Sequence, residues 1–285
     1  MRQTKLFIDV MCINWLKELF SKKEDPVEVS GNTEQTGSTE TGTTETPICP
    51  ETGNNENNNT MTEGNDIQEP VVVEKKKYEG INFHVLLDNG HASSTPGKRQ
   101  QLENGTYFYE YLFNRDVVAR IAKKLDDLGI PYEILVPEVD KDISLTDRAA
   151  RANSYCSKYG TDNCFFISVH SNACGDGKTF NSAKGWSIWT TKGQTKSDIR
   201  ATLIFEEAEK ILPQHGMTTR KETSDGDPDY EDNFTVIYKT WCPAVLTENL
   251  FFTNKKEVYW LMTDEGKDVI ADIHVKGIER IINEL

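Results

Sequence analysis

The sequence contains no run of 18 or more apolar residues, so it predicts no integral membrane helix. Basic residues are also scarce. Lys and Arg number 32 against 46 Asp and Glu, which gives a net charge of −14. Because neutralising phosphates requires a basic face, this balance argues against nucleic acid as a partner. The six cysteines include no CxxC pair and are irregularly spaced, which favours free thiols in a reducing compartment.

Between residues 24 and 70 the sequence lacks Lys, Arg and every aromatic residue. Thr, Glu, Asn and Gly dominate this stretch, and TEQTGSTETGTTET is its piece of lowest complexity. Such a composition cannot bury enough apolar surface to offset the entropy of the chain. We therefore expect a disordered acidic linker, rich in Thr, Glu and Asn, over residues 23–76.

The first 22 residues form a separate segment, for which a short amphipathic helix is predicted. Its apolar positions recur at helical spacing, at Ile8, Cys12, Trp15, Leu16 and Leu19. Such a helix serves for packing or for docking to a partner, and a membrane-surface anchor is the open alternative. Asp9 and Asn14 interrupt the apolar part and no small-residue cleavage site follows, so no conventional signal peptide is expected.

From residue 77 to residue 285 segments of strand and helix character alternate. This order predicts one α/β domain, with a single twisted, mostly parallel sheet flanked by helices on both faces. The predicted strands cover 83–88, 132–136, 164–170, 185–190, 235–239 and 243–249. The predicted helices cover 107–128, 144–159, 197–212, 255–262 and 265–284.

Three of the apolar strand segments lead into residues that bind metals or transfer protons. FHVLLDNGH ends on His91, CFFISVHSN carries His170 near its end, and PAVLTENLF carries Glu248. Parallel α/β sheets place ligand-binding and catalytic residues at the carboxyl ends of their strands. Two imidazoles and a carboxylate at such ends indicate the centre of a metal hydrolase.

Catalytic zinc commonly has three protein ligands and keeps a fourth position for water. Glu110 is the best candidate for the third ligand, because it lies in the first turn of the helix that follows the His91 loop. Spacing alone does not separate it from Glu103 or Asp116. Glu248 would then be the carboxylate that moves protons, and its alternative role is a buried ion pair with Arg148.

The three remaining histidines, His84, His215 and His274, are interpreted as structural. The segment DGDPDYED, residues 225–232, alternates carboxylates but lacks the full spacing of a calcium loop, so we predict a solvated acidic loop.

Tryptophans are candidates for a sugar-binding groove, which Trp186, Trp189 and Trp241 would line. Trp186 and Trp189 fall on opposite faces of a predicted strand, so at least one of them should belong to the core.

Five motifs in order give the domain a family resemblance. They are LLDNGH, the pair Glu110 and Asn114, SLTDRAARAN (144–153), SVHSN (168–172) and PAVLTENLFFTN (243–254). In this combination the chain resembles the zinc-dependent N-acetylmuramoyl-L-alanine amidases of the amidase-3 type. The resemblance does not extend to residues 1–76, and HASSTPGKRQ replaces the glycine-rich run that usually follows the first histidine.

The resemblance implies Zn²⁺ as cofactor, and it implies roles for the four residues above. His91, Glu110 and His170 would be the zinc ligands, and Glu248 would be the catalytic residue. The implied substrate is peptidoglycan, cut at the amide between N-acetylmuramic acid and L-alanine. Arg148 and Asn153 match motif positions that we interpret as structural.

Two alternatives to this amidase remain open at the level of sequence. One is a zinc peptidase that cuts the stem peptide, since the same centre would serve both reactions. The other is a module that binds the wall without turnover. The expected lack of a signal peptide favours a phage-type endolysin, made in the bacterial cytoplasm and acting on the cell wall after release.

Overall fold

The computed structural model describes residues 75–285. The helix predicted over residues 1–22 lies outside these residues, as does the linker predicted over 23–76 apart from its last two positions. Within the described range no helix combines the length and the apolar character needed to cross a membrane.

The described domain alternates strands and helices along the chain. Its strands are β1 His84–Asn89, β2 Arg99–Gln101, β3 Tyr107–Tyr109, β4 Tyr132–Ile134, β5 Cys164–Asn172, β6 Ser187–Thr190, β7 Tyr230–Glu231 and β8 Ala244–Phe251. Its α-helices are α1 Glu110–Leu128, α2 Leu145–Tyr159, α3 Lys196–Ile211, α4 Thr235–Tyr238, α5 Lys255–Leu261 and α6 Asp264–Glu284. Short 3₁₀ helices cover Thr161–Asn163 and Leu212–His215.

Six strands form one sheet in the order β4-β1-β5-β8-β6-β7. The pairs β4–β1, β1–β5, β5–β8 and β6–β7 are parallel, and only β6–β8 is antiparallel. A separate antiparallel ribbon joins β2 to β3. The prediction of a single, mostly parallel sheet is therefore confirmed.

Alternate residues along the central strands enter two different hydrophobic clusters. Val85 and Ile167 pack on one face with side chains from α1, α3 and α6. Leu86 and Phe166 pack on the other face with side chains from α2 and α4. Because successive strand residues point to opposite faces, this division places helices on both sides of the sheet, as predicted.

Two element predictions were wrong. Residues 235–239 were expected to be a strand, but Thr235–Tyr238 is a helical turn closed by a 2.8 Å hydrogen bond from the Tyr238 amide to the Phe234 carbonyl. Burial of Val236 and Ile237 outweighs the strand preference of these β-branched side chains. The helix expected from residue 107 begins at Glu110, because Tyr107–Tyr109 pairs with Arg99–Gln101.

The cysteines agree only in part with the expectation of free thiols. Cys156, Cys164 and Cys242 are free and buried. Cys174 is disulfide-bonded, so the expectation was wrong at this position.

A buried ion pair holds the end of β1 against α2. The Arg148 guanidinium donates to Asp88 Oδ1 at 2.8 Å and to the Asn89 carbonyl at 2.7 Å. Its other nitrogens donate to Asp142 Oδ1 at 2.9 Å and to the Ile143 carbonyl at 2.7 Å. This network gives Arg148, the first arginine of the SLTDRAARAN motif, a structural role, as interpreted from sequence.

Burial by itself would raise the pKa of Asp88, but the Arg148 charge and the Ser168 hydroxyl outweigh it and hold this pKa below its usual value. The Ser168 Oγ donates to Asp88 Oδ2 at 2.6 Å. A carboxyl whose pKa falls on folding contributes stability above its unfolded pKa, and this contribution is lost as pH falls through the folded pKa. Asp88 therefore contributes to stability at neutral pH and to unfolding in acid.

We predict that Arg148→Met lowers the free energy of unfolding by about 3–5 kcal/mol, because it leaves the Asp88 carboxylate buried and unpaired. Urea unfolding at neutral pH measures this loss. The control is Arg151→Met on the same helix, whose partner Glu138 is partly exposed, with an expected loss of about 1 kcal/mol or less. Equal losses in the two variants would contradict the assigned role of the buried pair.

Candidate metal centre

Three strands of the sheet bring the predicted site residues to one edge. In the parallel β1–β5 pair Asn89 lies opposite Val169, so His91 follows β1 close to His170 in β5. In the parallel β5–β8 pair His170 lies opposite Glu248. Parallel pairing in this register places all three carboxyl ends together, as the sequence predicted.

Gly90 makes the close packing of this edge possible. A Cβ atom at Gly90 would lie 2.4 Å from His170 Cε1 and 2.7 Å from Asn114 Nδ2, closer than a Cβ atom approaches atoms to which it is not bonded. The Asn114 side chain donates to the Gly90 carbonyl at 3.0 Å. His91 follows with a φ of 63°, a left-handed conformation that is uncommon for a residue with a side chain. The glycine and asparagine of the motifs thus shape the turn that carries His91.

Glu110, the first residue of α1, lies between the two histidines. Its Oε1 is 3.4 Å from His91 Nε2 and 3.1 Å from His170 Nδ1, and it accepts from the Ser171 amide at 3.2 Å. The two imidazole rings are 4.8 Å apart and nearly perpendicular. One ligand atom from each residue lies within 4.8 Å of the others, which is a spacing that a metal ion can bridge.

Burial and charge set the protonation of this cluster. Burial lowers the pKa of His91 to about 4, against the opposing effect of Glu110. Burial also acts to raise the pKa of Glu110, but His91, His170 and Lys98 hold it well below its usual value. A neutral imidazole and an ionised carboxylate are the forms that bind metals.

Glu248 lies beside the cluster and has the opposite electrostatic character. Burial and the Glu110 carboxylate raise the pKa of Glu248 well above its usual value, and its Oε2 atom is buried without a hydrogen-bond partner. The sequence left open an ion pair with Arg148, but the Arg148 guanidinium pairs with Asp88 and Asp142. Glu248 is therefore positioned to exchange a proton with a molecule in the site.

Sequence reasoning missed Lys98, a cation of this centre. Its side chain is only 5% exposed, and its charge acts on Glu110, Glu248 and Asp142. The β2–β3 ribbon brings it there, since the Lys98 carbonyl accepts from the Glu110 amide at 3.0 Å. Lys98 lies in the segment HASSTPGKRQ, whose departure from the family pattern was the available signal.

The other candidate ligands lie in different surroundings. Glu103 pairs with Lys255 at 2.6 Å. Asp116 pairs with Arg120 at 2.7 Å and Lys267 at 2.6 Å. Neither joins the cluster of His91, Glu110 and His170.

The three histidines interpreted as structural also lie outside this cluster. His84 stacks on Tyr159 with ring centroids 3.5 Å apart. His215 contacts Glu265 at 2.9 Å. His274 is buried beside the Thr247 hydroxyl, at 3.0 Å.

The tryptophans do not form a groove at the metal centre. Trp186 and Trp189 are both core residues, with 0% and 1% exposure. Trp241 is 63% exposed, but it precedes β8 and so lies at the amino end of the strand, opposite to the edge that carries the metal centre. Its amide donates to Asn153 Oδ1 at 2.8 Å, which gives Asn153 a structural role.

Comparison with known sequences identifies relatives of this chain. A profile of the N-acetylmuramoyl-L-alanine amidase family matches residues 85–280. An endolysin of Bacillus phage SPP1 is 30% identical over 203 residues, which are 70% of this chain and 66% of that protein. A sporulation-specific N-acetylmuramoyl-L-alanine amidase of Bacillus subtilis (strain 168) is 26% identical over 201 residues, 70% of this chain and 68% of that protein.

Solved structures show the same fold. An N-acetylmuramoyl-L-alanine amidase from Clostridium difficile 630 superposes with a TM-score of 0.59 at 25% identity, over 70% of this chain and 97% of that one. The catalytic domain of CwlV, an amidase from Bacillus (Paenibacillus) polymyxa, superposes with a TM-score of 0.56 at 22% identity, over 70% and 98%. Because the family profile covers most of the chain and the motif residues meet at one edge of the sheet, this chain belongs to the N-acetylmuramoyl-L-alanine amidase family.

Proposed function

We propose that the domain predicted over residues 77–285 hydrolyses, with zinc, the amide bond between N-acetylmuramic acid and L-alanine in peptidoglycan. The observation that carries the proposal is the meeting of His91, Glu110 and His170 beside Glu248, whose buried Oε2 atom has no hydrogen-bond partner. The family membership and the endolysin and amidase names of the relatives support the choice of bond.

The residues of the cluster suit zinc. Two imidazoles and one carboxylate form a known ligand set for catalytic zinc. The buried His91 Nε2 lies 3.4 Å from Glu110 Oε1 and forms no hydrogen bond of normal geometry. We assign His91, Glu110 and His170 as the ligands. Bound there, zinc would supply a Lewis acid that polarises the amide carbonyl and promotes ionisation of water.

Glu248 is the residue that we assign to proton transfer. Its raised pKa makes its carboxylate a stronger base than an exposed glutamate, so it is suited to take a proton from the attacking water. The same carboxyl group then gives that proton to the nitrogen of the leaving L-alanine. Lys98 adds a positive charge that opposes the two buried carboxylates, Glu110 and Glu248.

The remaining expectations extend this proposal to the cell. We propose that the enzyme lyses the cell wall as an endolysin, after synthesis in the bacterial cytoplasm. The support is the likeness to the endolysin of phage SPP1. A docking role for the helix predicted over 1–22 stays a prediction, since that segment lies outside the described residues.

We predict that Glu110→Ala weakens zinc binding by more than about 100-fold, because loss of an outer partner alone costs about 10–100-fold. Equilibrium dialysis against a zinc buffer measures the affinity. Glu103→Ala and Asp116→Ala are the matched controls, since sequence spacing allowed either to be the ligand. Zinc binding that weakens in a control and not in Glu110→Ala would overturn the ligand assignment.

For Glu248→Gln we predict a fall in kcat of about 10²–10⁴-fold, the usual contribution of a general acid-base residue. Zinc content should stay at the wild-type level, since Glu248 is not assigned as a ligand. The control is Glu103→Gln, an exposed glutamate paired with Lys255, which should keep full activity. Wild-type kcat in Glu248→Gln would refute the proposed proton transfer.

The bond cleaved is tested by digestion of purified peptidoglycan with the full chain, with and without chelator. The amidase creates new L-alanine amino termini without new reducing sugar ends, loses this activity on chelation and regains it with zinc. Amino termini from another stem residue would establish the peptidase instead. Absence of new ends with the zinc-loaded chain would favour the wall-binding module.

A further inference from the structure

A second group of acidic side chains lies at the β6–β7 side of the sheet. Asp198 comes from the first turn of α3, and Asp227 and Asp229 come from the loop that leads into β7. One carboxylate oxygen from each lies within 4.8 Å of the others. We call these three residues the triaspartate cluster. The sequence predicted a solvated loop here, but Asp229 has 0% exposure, so that prediction was wrong for this residue.

The hydrogen bonds within the protein satisfy the triaspartate cluster only in part. The Gln194 side chain donates to Asp227 Oδ2 at 3.3 Å, and the Thr195 amide donates to Asp198 Oδ2. Asp229 Oδ1 and Asp227 Oδ1 are both buried without a hydrogen-bond partner. The Thr190 Oγ is 2.5 Å from Asp229 Oδ2 and 3.0 Å from Asp198 Oδ1. A hydroxyl has a single proton to donate, so Thr190 can donate to only one of these two carboxylates.

Positive charge from the protein does not balance the cluster either. Within residues 75–285 no Lys, Arg or His forms an ion pair with Asp198, Asp227 or Asp229. Burial and the Asp227 carboxylate raise the pKa of Asp229 to about 8. A buried carboxylate that stays ionised normally has a counter-charge or a metal ion beside it.

We propose that the triaspartate cluster, together with the Thr190 hydroxyl, binds a hard divalent cation of the calcium class. Ca²⁺ takes 6–8 oxygen ligands at about 2.3–2.6 Å, so two of its ligand oxygens are at most about 5 Å apart. The oxygens of the cluster meet this limit. An all-oxygen set favours Ca²⁺ or Mg²⁺ over zinc, which sets this site apart from the histidine centre.

The cation would stabilise the side of the sheet next to β8, the strand that carries Glu248. It joins the start of α3 to the loop before β7, and β7 pairs with β6 through Trp189 and Thr190. β6 in turn pairs with β8, where Ser187 lies opposite Glu248. The site thus acts by stabilising the strand next to Glu248 and takes no part in proton transfer.

The first test uses Tb³⁺, a luminescent substitute for Ca²⁺, on the zinc-saturated full chain. Trp189 directly precedes Thr190 and its ring lies 4.8 Å from that of Tyr230, so excitation of these aromatic residues should sensitise Tb³⁺ emission. Excess Ca²⁺ should abolish the emission by competition, and Asp227→Asn should lose it. Asp225→Asn, an exposed aspartate of the same loop outside the cluster, should keep it.

A second test measures the Tm of the zinc-saturated chain with and without millimolar Ca²⁺. We expect a rise of about 5 °C or more when Ca²⁺ is far above its Kd, with little rise in Asp227→Asn and the full rise in Asp225→Asn. Asp227 is only partly buried, so its replacement tests the site without disturbing the packing of the hydrophobic core.

Two results would overturn the proposal. One is a wild-type chain with neither sensitised emission nor a Ca²⁺-dependent Tm, which would mean that the aspartates share a proton instead. The other is an Asp227→Asn variant that keeps both the sensitised Tb³⁺ emission and the Ca²⁺-dependent rise in Tm. Neither readout depends on amidase activity, so failure here leaves the proposed function untouched.

Discussion

The candidate metal centre depends on the parallel pairing of β5 with β1 on one side and β8 on the other. Every residue of β5 is buried, so a shift of one position would turn its core side chains to the opposite face. The same register that packs the core places His170 opposite Glu248 and next to the turn of His91. Geometry at the site is therefore a consequence of core packing, and the Asp88–Arg148 pair secures it at the end of β1.

Within this frame, two buried glutamates have pKa values shifted in opposite directions. Glu110 contacts two imidazoles and stays ionised, whereas burial and the Glu110 carboxylate make Glu248 hold its proton more tightly. Divergent environments of this kind separate a ligand from a proton carrier among residues of the same type. Lys98 moderates the repulsion between them. The surroundings of each glutamate therefore set its pKa, although the two residues are of the same type.

The sequence was sufficient for the sheet, its two-sided helices and the meeting of strand ends, because burial leaves a strong pattern in apolar runs. The sequence was insufficient where a few contacts between distant residues determine the local structure. Thr235–Tyr238 is too short for any periodicity, and its two buried side chains settle its conformation. Lys98 could not be placed, because its burial depends on the pairing of β2 with β3, two strands of only three residues each. Spacing also left Glu103 and Asp116 equivalent to Glu110, and the structure separates them because only Glu110 of the three joins the two histidines.

The acidic loop before β7 is another region whose structure depends on contacts that a local sequence pattern does not reveal. Its composition is that of a solvated segment, and an exposed carboxylate needs no partner. Asp229 differs from its neighbours only because β7 pairs with β6 and Thr190 meets it from the adjacent strand, while Asp198 approaches from the start of α3. Three segments that are separate in the chain create one concentration of negative charge, which no local pattern contains. The electrostatics that pair Asp88 with Arg148 leave two ways to stabilise this charge, a bound proton or a bound cation, since in the described domain no protein cation forms an ion pair with the cluster.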